Sequence, residues 1–316
     1  KIKQNINILL EILIMSNRWT LLKITELHKQ RDTNSIFIVD FSPPKSVNTN
    51  FLKDAKELNA DYISVAYNPS KSIKIFSMIV AQQIKEKTNK KVVFSLATRD
   101  MNKLSTQSIL KGAQLLGLNN LIVFKGDNFN EKDLSIQVDD YTPTTLIKDI
   151  KKMNQEKDLK NDKISTDTDF CIGAAVNTSS ISNNEIKLTK NKIDAGAHYL
   201  ISQPSDKPDN FLRFHSKYIK KYKKKINIPI FHGILMVNQN SLHYDNISKS
   251  LTQDYTQKDS DGIEKTVSII ETFLKNGINS FYLIPPIYKK GERDYKLANS
   301  VIAKIKNNWL NKIQYI

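Results

Sequence analysis

Eight short apolar runs recur along this chain of 316 residues, and longer segments with helical spacing of apolar positions separate them. Most of the runs are almost continuously apolar, which is typical of strands buried on both faces of a parallel sheet. We predict strands at residues 35–41, 61–67, 91–97, 120–124, 170–175, 198–203, 228–235 and 280–284. The spacing predicts helices at 72–87, 105–116, 185–194, 209–222, 264–275 and 294–309, among others.

The junctions between helices and the strands that follow them also repeat. Four of them contain Asn59, Gly117, Gly196 or Gly277 just before the next strand. Asn and Gly tolerate the left-handed backbone conformation that ends a helix. Eight strand units that alternate with helices favour a closed (β/α)8 TIM barrel. An open doubly wound sheet is the second choice, because no Gly-x-Gly-x-x-Gly motif follows the first strand.

The pattern divides the chain into a short N-terminal helical extension, residues 1–34, and a single barrel domain with the catalytic site, residues 35–316. The apolar run 6–15 is shorter than the roughly 20 residues of a membrane helix, so we expect no membrane contact. It is interpreted as an ordinary helix, or as a start-site artefact with Met15 as the natural start. Residues 154–168 are expected to form a surface loop, and 238–260 a functional loop or helical insert.

The number of cysteines, the spacing of the histidines and the net charge exclude several classes of protein. Cys171 is the single cysteine, so the chain holds no disulfide framework, and the five histidines lack the spacing of a metal motif. We therefore expect a cytoplasmic protein without a metal site.

The net charge of +16 comes mostly from dispersed lysines, which we interpret as solvated helix faces. Attraction of an acidic substrate, such as a polyglutamate tail, is the next alternative. Nucleic-acid binding comes last, because no aromatic patch is interleaved with the basic residues.

Catalytic residues of such barrels lie at the carboxyl ends of the strands. Asp40 follows the first predicted strand, and burial at the mouth of an apolar barrel would make it a usable proton donor. Asp127 follows Gly126, which would let a ligand approach the backbone closely. Gln203 could form two hydrogen bonds with a planar heterocycle. Each of these residues could equally be an ordinary turn or strand-end residue, so the pattern predicts a barrel enzyme with two carboxylates but no particular reaction.

Several strand ends carry motifs that resemble, in order, those of methylenetetrahydrofolate reductases. The resemblance runs from about Ile36 to Ile302. The motifs are VDFSPPK at 39–45, SVAY at 64–67, TRDMN at 98–102, GAQLLG at 112–117, KGD at 125–127, IGAAVN at 172–177, KIDAGA at 192–197, SQP at 202–204, GIL at 233–235 and YLIPP at 282–286. Each motif is weak alone, whereas the ordered set is specific.

The resemblance implies an oxidoreductase of one-carbon metabolism and methionine biosynthesis. In this family FAD lies across the top of the barrel and is reduced by NADH or NADPH. A reduced folate or related pterin then takes the place of the nicotinamide. An acid protonates the bridging imidazolidine ring, and hydride transfer to the methylene carbon gives the 5-methyl product.

The resemblance also implies roles for particular residues. Asp40 stands where the family has its acid, normally Glu, and Asp127, the second predicted catalytic residue, matches an aspartate near the flavin and the pterin. Gln203 matches a glutamine that contacts the pterin, and Tyr67 is assigned with it to the substrate. The expected FAD-binding residues are Ser95, Lys125, Gly126, Asp127, Ala175, Asn177, Glu185 and Lys192.

Several positions depart from the family pattern. The shorter Asp40 side chain moves the carboxyl group by about 1.5 Å, a displacement that can cost on the order of 100-fold in rate. Ala66 replaces a threonine and Ser95 a histidine, both near the flavin. The folate-facing arginine of some members is missing from the eighth strand, and Lys289, Lys290 and Arg293 are the candidates to replace it.

These departures keep two further functions open. One is a pterin-binding barrel without flavin chemistry, either a methyl-transfer or a flavin-free variant, and the other is a non-catalytic partner subunit. The sequence does not distinguish NADH from NADPH, or tetrahydrofolate from another pterin. A homo-oligomer is compatible with the resemblance, but no helix shows an apolar stripe that we can assign to an interface.

Overall fold

A computed structural model describes residues 22–30, 35–133, 135–158, 160–163, 168–242 and 262–313. Eight parallel strands form a closed barrel in which each strand pairs with the next and β8 pairs with β1. They are β1 Ile36–Phe41, β2 Tyr62–Val65, β3 Val92–Ala97, β4 Asn120–Phe124, β5 Cys171–Val176, β6 Tyr199–Pro204, β7 Ile230–Leu235 and β8 Ser280–Ile284. Each overlaps a predicted strand, so the (β/α)8 prediction is confirmed and the open-sheet alternative is excluded.

Helices connect the strands. In the described residues they are α1 Ile24–Gln30, α2 Phe51–Glu57, α3 Ser77–Thr88, α4 Lys103–Leu115, α5 Pro143–Met153, α6 Asn183–Ala195, α7 Asp209–Tyr222, α8 Ile263–Lys275 and α9 Tyr295–Ile313, with 3-10 turns at Pro69–Lys71 and Lys289–Gly291. None of these helices combines the length and the apolar character needed to cross a membrane.

The helix predicted at 72–87 begins later, at Ser77, because the Asn68 side chain accepts a hydrogen bond from the Lys74 N–H and the preceding residues stay non-helical. The predicted run 6–15 and most of the predicted loop 238–260 lie outside the described residues.

Three of the four predicted junctions have the expected backbone. Gly117, Gly196 and Gly277 have φ values of 68°, 119° and 74°. The prediction for Asn59 is wrong, because α2 ends on an extended residue and the Asn59 N–H donates to Asn299 Oδ1 instead. A left-handed asparagine does end one of the described helices, since Asn89, with φ of 55°, follows the last residue of α3.

The barrel has two apolar cores. The larger lies between the outer faces of the strands and the helices, and the smaller fills the barrel interior. Helix α1, from the predicted N-terminal extension, belongs to the inner core through Ile24 and Leu27. The Ile24 N–H donates to Asn120 Oδ1 at the start of β4 (3.0 Å). This helix therefore closes the amino end of the barrel.

Tyr199 occupies the middle of the inner core. A side-chain carbon at Gly173 on the neighbouring strand would lie 2.3 Å from the Tyr199 ring, so the glycine makes room for it. The Tyr199 hydroxyl donates to the Leu121 carbonyl (2.9 Å), which satisfies the one polar group of this buried side chain. The barrel is thus filled below the carboxyl ends of its strands, and a cavity remains above.

Candidate functional site

A cavity of about 670 Å³ opens at the carboxyl ends of the strands, a size suited to a cofactor or a small substrate. Every residue that the sequence assigned to the site lines it. These residues are Asp40, Tyr67, Ser95, Lys125, Gly126, Asp127, Ala175, Asn177, Glu185, Lys192 and Gln203. The structure therefore brings the predicted set together, while the role of each member stays a prediction.

Asp40 is buried at the side of this cavity and both of its carboxylate oxygens are engaged. The Tyr282 hydroxyl donates to Oδ1 (2.7 Å), and Arg293 Nη2 donates to Oδ2 (2.7 Å). The exposed fraction of the two charged side chains is 10% for Asp40 and 7% for Arg293, so this is a buried ion pair. Sequence reasoning predicted the burial of Asp40 but neither of its partners.

The barrel closure explains the contact between Asp40 and Tyr282. Tyr282 pairs with Ile38 in the β1–β8 register, and Asp40 lies two residues further along the same face of β1. Burial, with a further contribution from the negative charge of Asp40, raises the pKa of Tyr282 well above its usual value. The phenol therefore keeps its proton at neutral pH and acts as a hydrogen-bond donor.

Arg293 follows the turn after β8 and lines the same cavity. Its Nη1 donates to the Pro285 carbonyl (3.0 Å), and Ile287 and Arg293 form an isolated bridge that folds the chain back over the strand end. Of the three cations that the sequence offered in place of a strand-end arginine, Arg293 thus contacts the proposed acid.

The turn after β4 presents Asp127 to the cavity. Gly126 has φ of 85°, and a side-chain carbon there would lie 3.2 Å from Ala97 Cβ, so the turn favours glycine on both counts. Arg99 Nη1 donates to the Asp127 carbonyl (2.7 Å) and braces this turn from the end of β3.

Arg99 is a site residue that the sequence assignment omitted. Its guanidinium forms a two-pronged ion pair with Asp100 and lies 4.1 Å from the centre of the Phe129 ring. The hydrogen bonds that Arg99 donates to the Asp100 carboxylate raise the pKa of Arg99. The position of Arg99 just after the predicted strand 91–97 would have indicated a site residue, because the carboxyl ends of the strands form the site. The family resemblance implied roles for other positions only.

Helix α6 contributes two charged residues to the cavity from one face, two turns apart. Glu185 accepts a hydrogen bond from the Asn177 N–H (3.0 Å), and its own N–H donates to the capping Ser182 hydroxyl (3.1 Å). Lys192 Nζ donates to the Ala175 carbonyl (2.7 Å). Burial lowers the pKa of Lys192, and the nearby Glu185 carboxylate opposes the change.

Gln203 lies at an irregularity in the pairing of β6 and β7. The register shifts between Ile201 and Pro204, and the Ser202 hydroxyl accepts the Gly233 N–H (3.0 Å). A side-chain carbon at Gly233 would lie 2.6 Å from the Ser202 carbonyl, so only glycine allows this close approach. Bulges often redirect a side chain beside an active site, and Gln203 lines the cavity here.

The comparison with protein families agrees with this geometry. The model of the family described as methylenetetrahydrofolate reductase matches residues 23–286. The chain belongs to the methylenetetrahydrofolate reductase family. The resemblance predicted from the strand-end motifs is therefore confirmed.

Solved structures share the fold of this reductase-family chain at low sequence identity. One is an uncharacterized protein from Clostridium thermocellum, described as binding two copies of 5-methyl-5,6,7,8-tetrahydrofolic acid. It is 13% identical with a TM-score of 0.58, over 88% of this chain and 99% of that one. Another is oxaloacetate acetylhydrolase with the inhibitor 3,3-difluorooxalacetate, 9% identical with a TM-score of 0.51, over 84% and 80% of the two chains. The search of curated proteins gave no match.

Members of this reductase family typically bind a flavin, and the residues that line the cavity suit one. Along the wall formed by β2 to β5, the apolar β4 residues Ile122 and Phe124 stand among small residues that leave open space for a flat ring: Ala66, Ser95, Ala97, Gly126 and Ala175. Lys192 has one hydrogen-bond partner in the described part of the chain, whereas an ammonium group has three donors. Lys125 adds an exposed positive charge at the same side. Small residues bordered by cations fit a ring system that carries phosphates.

Proposed function

We propose that this protein reduces 5,10-methylenetetrahydrofolate, or a related methylene-pterin, to the 5-methyl form. The reaction adds one hydride to the methylene carbon and one proton to N10, and it breaks the bond between that carbon and N10. NADH or NADPH is the source of the two electrons. FAD, when bound, supplies the hydride transfer between the nicotinamide and the methylene carbon.

One observation carries the proposal. Asp40 lies on β1, Asp127 in the turn after β4 and Gln203 on β6 of a barrel of this family, and all three line one cavity. A proton donor, a second carboxylate and a planar hydrogen-bonding group are the groups that a pterin and its ring opening require.

The proton for N10 is assigned to the Asp40 carboxyl group. Tyr282 and Arg293 hold the carboxyl group in position through hydrogen bonds to Oδ1 and Oδ2, and Asp40 takes up a proton from solvent before it protonates N10. Gln203 orients the pterin ring. Lys192 and Lys125 would hold the phosphates of FAD, and Glu185 fixes the position of α6 relative to the end of β5 through its hydrogen bond from the Asn177 N–H.

The absorption spectrum of the purified protein is the first test. We expect flavin absorption that NADH or NADPH bleaches without oxygen, and that a methylene-pterin restores as the 5-methyl product forms. A flavin that is bleached but never reoxidised by the pterin would contradict the proposed substrate.

A flavin-free pterin-binding protein is the second candidate. Ala66 and Ser95 replace two side chains that contact the flavin in the family, and the Clostridium thermocellum neighbour is described as binding 5-methyltetrahydrofolate. A colourless protein that binds a reduced folate, and stays colourless after incubation with FAD, would favour this candidate over the reductase.

A further inference from the structure

A smaller cavity of about 260 Å³ adjoins the main one at the mouth of the barrel. The two cavities share Pro69, Ser70 and Arg293, so a molecule in the main cavity can extend into the smaller one. Lys45 and Lys74 supply two more cations to its wall. None of the described residues that line it is acidic.

The three cations stand close enough to disfavour one another. Burial lowers the pKa of Lys74, and the positive charges of Lys45 and Arg293 lower it further. In the described part of the chain, neither Lys45 nor Lys74 has a carboxylate within ion-pair distance. Arg293 gives one nitrogen to Asp40, but its buried Nε has no hydrogen-bond partner. Lys45 and Lys74 thus lie beside a third cation without a carboxylate of their own, and such clustered like charges are unfavourable unless an anion joins them.

The backbone holds the lysines in this arrangement. The Lys74 N–H donates to Asn68 Oδ1 (3.2 Å), and the neighbouring Ile75 N–H donates to the Pro44 carbonyl (3.0 Å), next to Lys45. Across the cavity, a side-chain carbon at Gly291 would lie 3.6 Å from Lys74 Nζ. Lys74 is therefore half-buried, and its ammonium group lies against the turn that contains Gly291.

We propose that Lys45, Lys74 and Arg293 form an anion subsite that binds a carboxylate or phosphate group of a ligand held in the main cavity. The inference rests on the proposed function for the identity of that ligand. Arg293 also contacts Asp40, the proposed acid, so the subsite lies on the side of the cavity assigned to the pterin. The favoured anion is therefore a carboxylate of the glutamyl part of a reduced folate, and a ligand with several γ-linked glutamates would use both lysines.

The test compares 5-methyltetrahydrofolate carrying one glutamate with the form carrying three, by titration calorimetry. In the unmodified protein we expect the triglutamate form to bind about tenfold more tightly than the monoglutamate form. Each of the two lysines should contribute about threefold to this difference in affinity. Lys45→Gln and Lys74→Gln should each reduce this advantage, and the double variant should abolish it. The double variant should fold, because it removes like charges that oppose each other. Lys56→Gln, an exposed lysine outside both cavities, is the matched control and should keep the advantage.

Inorganic sulfate tests the subsite without folate. Sulfate should raise the unfolding temperature of the unmodified protein and of Lys56→Gln more than that of the double variant. If this holds while folate does not bind, the proposed function fails and the anion subsite stands. If it holds while both folates bind equally, a phosphate group is the source of the anion. Equal sulfate effects in all proteins, together with equal binding of the two folates, would overturn the subsite.

Discussion

Arg293 Nη2 lies 2.7 Å from Asp40 Oδ2, although 253 positions of the sequence separate the two residues. The contact exists because β8 closes the barrel against β1 and the following turn folds back over the cavity. A buried ion pair costs about as much in lost hydration as it gains in attraction, so its main consequence is that neither partner can be removed alone.

Arg293→Met should therefore destabilise the protein by about 3 kcal/mol, because it leaves the buried Asp40 carboxylate without its counter-charge. Asp40→Asn combined with Arg293→Met should recover most of this loss, since the double variant has no unpaired charge. Denaturant unfolding of the four proteins measures the difference.

Arg213→Gln is the matched control for this pair. Arg213 is exposed on α7, so its replacement should change the free energy of unfolding by less than about 0.5 kcal/mol. If Arg293→Met lowered the free energy of unfolding no more than Arg213→Gln does, Asp40 and Arg293 would be solvated, and the prediction that they form a buried ion pair would be contradicted.

Asp40→Asn tests the acid role directly. We expect this variant to bind FAD and to accept electrons from NADH or NADPH as before, but to lose reduction of the methylene-pterin, because an amide cannot supply the proton. Rapid-mixing absorbance separates the two half-reactions. Undiminished pterin turnover by Asp40→Asn would show that the proton comes from elsewhere.

Asp40→Glu restores the residue typical of the family. Activity should be kept or raised, because the longer side chain returns the carboxyl group by about 1.5 Å toward the family position. A folded but inactive Asp40→Glu protein would indicate that the contacts with Tyr282 and Arg293 have adapted the site to the shorter acid.

Lys192→Met should weaken FAD binding by about tenfold, the typical value of one hydrogen bond to a charged group. Lys187→Met is the control, because Lys187 is exposed on the same helix and does not line the cavity. Fluorescence titration of the flavin gives both dissociation constants. Equal affinities for the two variants would remove Lys192 from the cofactor site.

The strands and several of the cavity-lining residues at their ends, such as Asp40 and Gln203, were predictable because their signals are local, whereas Glu185 and Lys192 on α6 were predicted only from the family resemblance. Each buried strand is an apolar run, and residues at its carboxyl end must face the same side of a barrel. The ion pair of Asp40 with Arg293 was not predictable in this way, since it depends on how a turn after β8 folds back. The late start of α3 was missed for a similar reason, because it depends on one hydrogen bond between Asn68 and the Lys74 N–H.

Gly173 and Gly112 differ in whether the structure has room for a side chain. Gly173→Ala should destabilise the protein by about 1–3 kcal/mol, because the added carbon would overlap the Tyr199 ring. Gly112→Ala should stabilise it by about 0.5–1 kcal/mol, because Gly112 is inside α4 and nothing lies within 4 Å of the added carbon. Thermal unfolding of both variants checks the opposite signs, and a stabilising effect of Gly173→Ala would contradict the packing of the inner core.

His232 makes the stability of the barrel depend on pH. It is buried against the rings of Phe211 and Phe273, and burial lowers its pKa from 6.5 to about 3. Above pH 6.5 the histidine is neutral in both the folded and the unfolded chain, so its full contribution is present. As the pH falls below 6.5, the unfolded chain takes up a proton that the folded protein resists until about pH 3, and stability is lost. The loss from this group at pH 5 should be about 2 kcal/mol.

The comparison of unmodified protein with His232→Leu at pH 7 and pH 5 isolates this effect. Any packing loss in the variant is the same at both pH values, and the other histidines are present in both proteins, so both contributions cancel in the difference. Between pH 7 and pH 5 the unmodified protein should lose about 2 kcal/mol more of its free energy of unfolding than His232→Leu does. Equal losses in the two proteins would mean that His232 takes up a proton in the folded state as readily as in the unfolded chain, which its position between two aromatic rings does not allow.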